Sequence, residues 1–408
     1  MKPNLKKIIR RNLLNIPGWS SNRKIVVIES DDWGSIRTSS SDAYHHFLKN
    51  GYPVDECPYN SYDSLESNDD MELLFEVLSS VKDKNGNPAV ITANNIVANP
   101  DFEKIEAVNY QQYFFERFTA TLQRYPRHDR VEELYREGIE KQMFIPQFHG
   151  REHVNTNRWL HALQNGDKAI NLAFKQSMFS VHYERNPLIE NTWMEALDGD
   201  TAIELSAKAA IIQEGLQLFQ SIWGFQSKSF IAPSYIWESS LEAVLAANAV
   251  EYIQGMVNQM EPIAKPGYTY KKTYHYQGQR NKHGQRYLIR NAFFEPSGSR
   301  GYNWVDDCLH RIETAFRWDK PAIISSHRVN FIGFINPKNR EANLPLLLQL
   351  LKKIVRRWPD VEFMSSDQLG DLMKYGEGMA RQTFNNHVII NSKTMRQVIQ
   401  DKHFVKTS

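Results

Sequence analysis

The chain has 408 residues, of which 41% are hydrophobic and 24% charged, and its formal net charge is +2 at pH 7. That length can bury a substantial core as one large α/β domain or two ordinary ones, and the composition excludes wholesale disorder. So small a net charge excludes a protein whose main work is coating nucleic acid. Two cysteines, Cys57 and Cys308, are too few for a disulfide framework and form no CxxC metal pair.

Met1 to Asn15 is basic but lacks the apolar h-region of a signal peptide. Leu5, Ile8, Ile9 and Leu13 fall at helical spacing, with Lys6, Lys7, Arg10 and Arg11 between them. Such a helix either touches an anionic membrane surface or caps the core and turns its charges to water; the cap is the expectation. No apolar run reaches the length of a membrane-spanning helix, and a cytoplasmic protein in a reducing compartment is expected.

Lys24 to Ser30 has a continuous β-branched centre, the mark of a strand buried on both faces. Similar runs are Ala89 to Thr92, Phe144 to Phe148, Lys228 to Ala232, Glu251 to Gln254, Tyr287 to Phe294, Ala322 to Ser325 and Val361 to Met364. Helical patterns sit between most of them, among them Glu72 to Lys82, Asp200 to Ile222 and Leu344 to Trp358, the last stopped by Pro359. Seven or eight such units predict a parallel sheet closed into a single (β/α) barrel rather than an open doubly wound sheet. The barrel is expected over residues 20–375, after a basic helix at 1–19, with helical insertions near 95–142 and 155–224 and a polar tail at 376–408. Tyr268, Tyr270, Tyr274 and Tyr276 alternate along Gly267 to Arg286 and suit a hairpin packed on the barrel wall, or a stacking face for sugars or bases.

Three strand ends carry the chemistry. The first strand runs into Asp31-Asp32-Trp33-Gly34, and neighbouring side chains there point different ways, so that one aspartate can bind a metal while the other faces a substrate. Phe144 to Phe148 leads into His149-Gly150-Arg151-Glu152-His153; two histidines four apart on a helical turn can share one ion, and with Asp32 they make an open three-ligand site. Ala322 to Ser326 ends in His327, a candidate general acid at the same end of the barrel.

The order of these motifs resembles the polysaccharide deacetylase family, carbohydrate esterases with a NodB-homology domain. Glu29-Ser30-Asp31-Asp32-Trp33-Gly34 is similar to its first motif, His149 to His153 to its second, and Ile323-Ile324-Ser325-Ser326-His327 to its last, over about residues 24 to 370. Ile231-Ala232-Pro233-Ser234-Tyr235 resembles a degraded third motif, with Ile231 where the family has Arg. The fourth motif is weaker, with Trp304 leading a helix and Glu295 a partner for His327. The resemblance implies one divalent ion, zinc above all, with cobalt, nickel or iron as alternatives, held by Asp32, His149 and His153. It implies hydrolysis of an acetyl group from an N- or O-acetylated sugar or glycan precursor by a water activated on that ion, with Asp31 as base and His327 as acid. Trp33, Pro233, Tyr235 and Arg328 are its candidates for the substrate or oxyanion, a backbone N–H near Tyr235 among the donors, and Arg328 or Arg37 for the missing cation beside Asp31.

Two other readings stay open. His149 to His153 also reads as the inverted zinc-peptidase motif HxxEH, with Glu152 as base and a distant ligand such as Glu214. The barrel would otherwise be a non-catalytic carbohydrate-binding relative. No nucleic-acid partner is expected.

Overall fold

The computed structural model describes residues 5–179, 181, 193–267, 269–299 and 301–376. Tyr268 and all of the expected tail but Gly376 lie outside the described residues.

Among the described residues the main sheet has nine strands: β1 (Ile25–Trp33), β2 (Ile91–Ile96), β3 (Phe144–Gly150), β4 (Ser229–Ile231), β5 (Tyr252–Gly255), β6 (Arg286–Ile289), β7 (Ala292–Phe293), β8 (Ala322–His327) and β9 (Glu362–Met364). Every pairing is parallel, and the order runs β6-β5-β4-β3-β2-β1-β8-β7, with β9 alongside the first half of β1. The two ends of this path meet in the chain itself. Only Arg290 and Asn291 separate β6 from β7. The N–H of Arg290 donates to Gly255 O on β5 (2.9 Å) and that of Asn291 to Ile323 O on β8 (3.1 Å). The strand expected over Tyr287 to Phe294 is therefore broken in the middle, and its halves pair with opposite edges and close the sheet into a barrel. The expected (β/α) barrel is the fold.

The main helices are α1 (Leu5–Leu14), α2 (Asn68–Ser79), α3 (Val131–Glu140), α4 (Ala202–Trp223), α5 (Trp304–Arg317), α6 (Pro337–Arg357) and α7 (Ser366–Tyr375). Two begin earlier than apolar periodicity suggests, because polar caps decide the start. The side chains of Ser67 and Asp70 form a reciprocal capping box that opens α2. Asn336 caps α6, with Pro337 in its first turn, and Pro345 lies inside the helix rather than at its start.

The alternation of β1 assigns its two faces. Val26 and Ile28 face the helices in the large outer core, while Ile25 and Val27 point inward and meet Leu369, Leu372 and Met373 of α7, which plugs the N-terminal end of the barrel. Further along the same inner face come Glu29 and Asp31, so the polar site sits directly above an apolar floor.

β9 is tied down electrostatically. Glu362 accepts from Arg23 Nε (2.8 Å) and Arg23 Nη2 (2.6 Å), and pairs with Lys84 Nζ at 3.0 Å. Burial raises its carboxyl, but the hydrogen bonds from Arg23 and Lys84 and their charges outweigh this and bring it from 4.5 to about 2. A carboxyl depressed in the folded state stabilises above its unfolded value and loses that contribution as pH falls through the folded one. The melting temperature of Glu362→Gln in thermal scans should therefore lie below that of the parent by a constant margin at about pH 6 to 8, and the margin should close between about pH 4.5 and about 2. A margin that does not shrink in acid would show that the ion pairs do not stabilise the strand.

Candidate metal centre

Simple pleating would turn Asp32 outward after the inward-facing Asp31. Instead Asp32 has φ 76°, a left-handed conformation that aspartate tolerates better than most residues, and the register of β1 against β2 shifts between Ser30 and Trp33. The two carboxylates thereby leave the strand end in different directions. Gly34 follows with φ 79°, and a Cβ there would sit 2.5 Å from Ile96 O, so only glycine fits.

Asp32 Oδ1 lies 3.4 Å from His149 Nε2 and 3.3 Å from His153 Nε2, and one donor atom from each of the three residues falls within 4.8 Å of the others. All three are buried. His149 is the last but one residue of β3, but His153 stands in the loop beyond it, so the pair does not share the helical turn that its spacing suggested. The close approach comes from the loop folding back. His149 Nδ1 lies 3.0 Å from Ile231 O; a carbonyl only accepts, so Nδ1 carries the proton and Nε2 presents a lone pair. That Nε2 is buried without a hydrogen-bond partner among the described residues, as is Nδ1 of His153. Orphaned imidazole nitrogens are costly, and one carboxylate with two imidazoles is a donor set that suits zinc or a similar divalent ion. The residues fit the group.

Asp31 is gripped by an arginine, and it is neither of the two expected. Arg290, wholly buried, donates from Nη2 to Asp31 Oδ1 (2.6 Å), from Nη1 to Asp31 Oδ2 (2.7 Å) and from Nε to Glu29 Oε2 (2.6 Å). Asn94 Nδ2 adds a donor to Asp31 Oδ1 (2.7 Å). Burial alone raises the Asp31 carboxyl, but the charge of Arg290 and then its hydrogen bonds reverse this and hold it at about 2. The cation absent at Ile231 is thus supplied from the β6–β7 break. Arg328 is instead buried against Asp63 (3.0 Å) and Glu66 (2.9 Å), away from Asp31, and Arg37 contacts Met194 Sδ and lies over the rings of Tyr59 and Phe179.

His327 faces the same carboxylate, with Nε2 3.8 Å from Asp31 Oδ2. Its Nδ1 is 2.7 Å from Glu295 Oε1, and Asn330 Nδ2 donates to Glu295 Oε2 (2.6 Å), so the partner suggested by the sequence is in place. Burial lowers the imidazole, but Glu295 above all, then Asp31 and Asp32, raise it well above its ordinary value. Beside His327 opens a cavity of about 240 Å³, lined among others by Tyr59, Tyr235, Met256, Phe293 and Val329.

The other candidates divide. Tyr235 lines the cavity, and its hydroxyl accepts from Arg290 Nη1 (3.0 Å), but its backbone N–H closes a turn onto Ala232 O (3.0 Å) and is not a spare oxyanion donor. Ser234 and Tyr235 both have positive φ, 57° and 58°. Pro233 packs near Gly150. Trp33 is a core residue: wholly buried, it donates to Ser30 Oγ and packs edge-on against Phe144. Glu152 does not point to water. It is buried and bound by Arg151 through Nε (2.5 Å) and Nη2 (2.9 Å), while Glu214 also pairs with Arg151. With its base and its distant ligand both held by one arginine, the inverted-peptidase reading has no support in the geometry. Of the tyrosine row, Tyr270 donates to Asp198 Oδ2 (2.9 Å), whereas Tyr274 and Tyr276 are exposed.

Arg290, Asn94 and the hydroxyl of Tyr235 escaped the reading of the sequence. A signal for Arg290 was present: it interrupts Tyr287 to Phe294, and a cation inside a buried strand requires carboxylate partners.

No family model matches the sequence, and no curated protein matches it. Solved structures similar to this chain include a probable polysaccharide deacetylase from Pseudomonas aeruginosa PAO1 (8% identity, 88% of this chain and 93% of that one, TM-score 0.43). An allantoinase is 9% identical over 88% of this chain and 94% of its own, with TM-score 0.39. A 4-alpha-glucanotransferase from Thermococcus litoralis is 9% identical over 85% of this chain but only 40% of its own, with TM-score 0.41. At such identities and scores no activity transfers to this chain.

Chelated protein titrated with zinc by calorimetry, with the metal content then measured, should bind one ion per chain. His149→Ala and His153→Ala should each abolish stoichiometric binding. Undiminished occupancy in the double variant would remove the site from these residues.

Proposed function

We propose that the chain is a metal-dependent hydrolase that removes an acyl group, acetyl above all, from the nitrogen or oxygen of a sugar or glycan precursor. One observation carries the reading. Two successive carboxylates diverge from one strand end, Asp32 toward a histidine pair and Asp31 toward a buried arginine and a third histidine.

Asp32, His149 and His153 would hold the ion, which when bound supplies a Lewis acid at the acyl oxygen and an acidified water. Asp31, kept ionised by Arg290, accepts the proton of the attacking water as the new C–O bond forms. His327, held protonated by Glu295, delivers a proton to the departing nitrogen or oxygen as the old acyl bond breaks. The products are a carboxylate and a free amine or hydroxyl. The Glu295–His327 contact fixes the Nδ1 side of the ring, so Nε2 is the nitrogen left for the proton transfer. The aromatic and apolar lining of the cavity, Tyr59, Tyr235, Met256 and Phe293, supports a compact acylated group packed beside that nitrogen.

Acetate release from a panel of N- and O-acetylated sugars is the direct test, with zinc-loaded protein. His327→Ala should keep its metal and lose about 10²–10⁴-fold in turnover, with a smaller loss on activated aryl esters whose leaving groups need no proton. Asp31→Asn should lose about 10²-fold or more on both substrate types. Release of acetate from none of the sugars by metal-loaded protein, with cleavage of peptides, would overturn the proposal. Glu152→Gln should lower the melting temperature, because it leaves Arg151 poorly paired in a buried setting, while turnover persists.

A further inference from the structure

α1 packs on the barrel with Lys6 and Arg10 turned to water, but most of its apolar residues face outward as well. Leu5 (69%), Ile9 (49%) and Leu13 (59%) are exposed, with Ile8 and, just beyond the helix, Ile16. These five stand among thirteen large exposed hydrophobic residues of the described chain, a concentration that single scattered residues do not make. The helix is nevertheless anchored. Arg11 pairs with Asp307 of α5, Leu14 packs against the main core, Asn15 Oδ1 accepts from Asn291 Nδ2 (2.8 Å), and Trp318 Nε1 donates to Asn12 Oδ1 (2.9 Å). One side of α1 therefore holds the barrel while an apolar stripe is left over.

We propose that this stripe docks the protein on an anionic membrane surface. The occupant follows from charge. Lys6 and Arg10 are exposed along the edge of the stripe, and Arg10 has no ion-pair partner among the described residues. Exposed isoleucines and leucines flanked by cations match the interface of an anionic bilayer, where acyl chains receive the one and headgroups the other. Trp318 and Tyr302, each part-exposed beside the α1–α5 contact, are the residue types that settle at headgroup depth. The placement is compatible with catalysis. Asn291, the partner of Asn15, also donates to Pro321 O at the start of β8, so α1 sits at the opposite end of that strand from His327. Docking through α1 leaves the cavity facing away from the membrane. No helix among the described residues is long and apolar enough to cross a membrane, so the contact is peripheral.

The test is flotation of the full chain with vesicles of phosphatidylcholine alone or mixed with phosphatidylglycerol. The chain should float with the mixed vesicles at low salt, less so as salt rises, and not with phosphatidylcholine alone. Arg10→Gln should lower the partition coefficient about five-fold, and Leu5→Glu with Ile9→Glu by more than about ten-fold. Both variants alter exposed side chains, so thermal melting should match the parent. A chain that stays at the bottom of the gradient with both vesicle types overturns the proposal. So does a dimer in light scattering that becomes monomeric in Leu5→Glu/Ile9→Glu, which would assign the stripe to a second copy.

Discussion

One buried guanidinium organises this molecule. Arg290 has no exposed surface, and taking such a charge out of water costs several kcal/mol unless it is paired and hydrogen-bonded throughout. The pairing is complete: Nε is on Glu29, both terminal nitrogens are on Asp31, and Nη1 also reaches Tyr235 and Ser325. Because its backbone lies where β6 gives way to β7, the same residue joins the two edges of the sheet and pulls β1 toward them through its side chain. Barrel closure, through its backbone, and the ionisation of Asp31, through its side chain, thus both involve one residue.

From that contact a polar chain crosses the barrel interior. Ser366 Oγ donates to Glu29; Asn94 bridges Asp31 and Gln254; Gln254 donates to Ser229, and Ser229 to Gln147. Below it, α7 closes the barrel with leucine and methionine; above it the barrel opens toward His327 and the cavity. A polar middle over an apolar floor keeps the carboxylates dry enough for Arg290 to govern them. The metal ligands need a different environment and obtain it through the turn at Asp32, which moves the second carboxylate off the inner face and against two histidines.

Much of this was legible in the chain. Continuous β-branched runs identify buried parallel strands, and the polar residues that end them mark the site; Asp31, Asp32, His149, His153 and His327 do assemble at one end of the barrel. What escaped was whatever depends on partners distant in sequence. Arg290 lies 259 positions from Asp31, and its place inside a buried run signals a carboxylate partner without saying which, while Arg328, one residue after His327, suggested a role that burial against Asp63 and Glu66 denies it. Trp33 adjoins the aspartates in sequence, yet the bulge that redirects Asp32 delivers the indole to the core. Proximity along the chain misled wherever a backbone irregularity intervened.

A double-mutant cycle on Arg290 and its carboxylates, followed by urea denaturation, tests this account most directly. Arg290→Met alone should cost about 3–5 kcal/mol, because it strands buried carboxylates. In a Glu29→Gln/Asp31→Asn background the same substitution should cost far less, leaving a coupling energy of at least about 2 kcal/mol. Costs that simply add would contradict the account, since Arg290 would then be stabilising the barrel by packing rather than by holding Asp31 and Glu29.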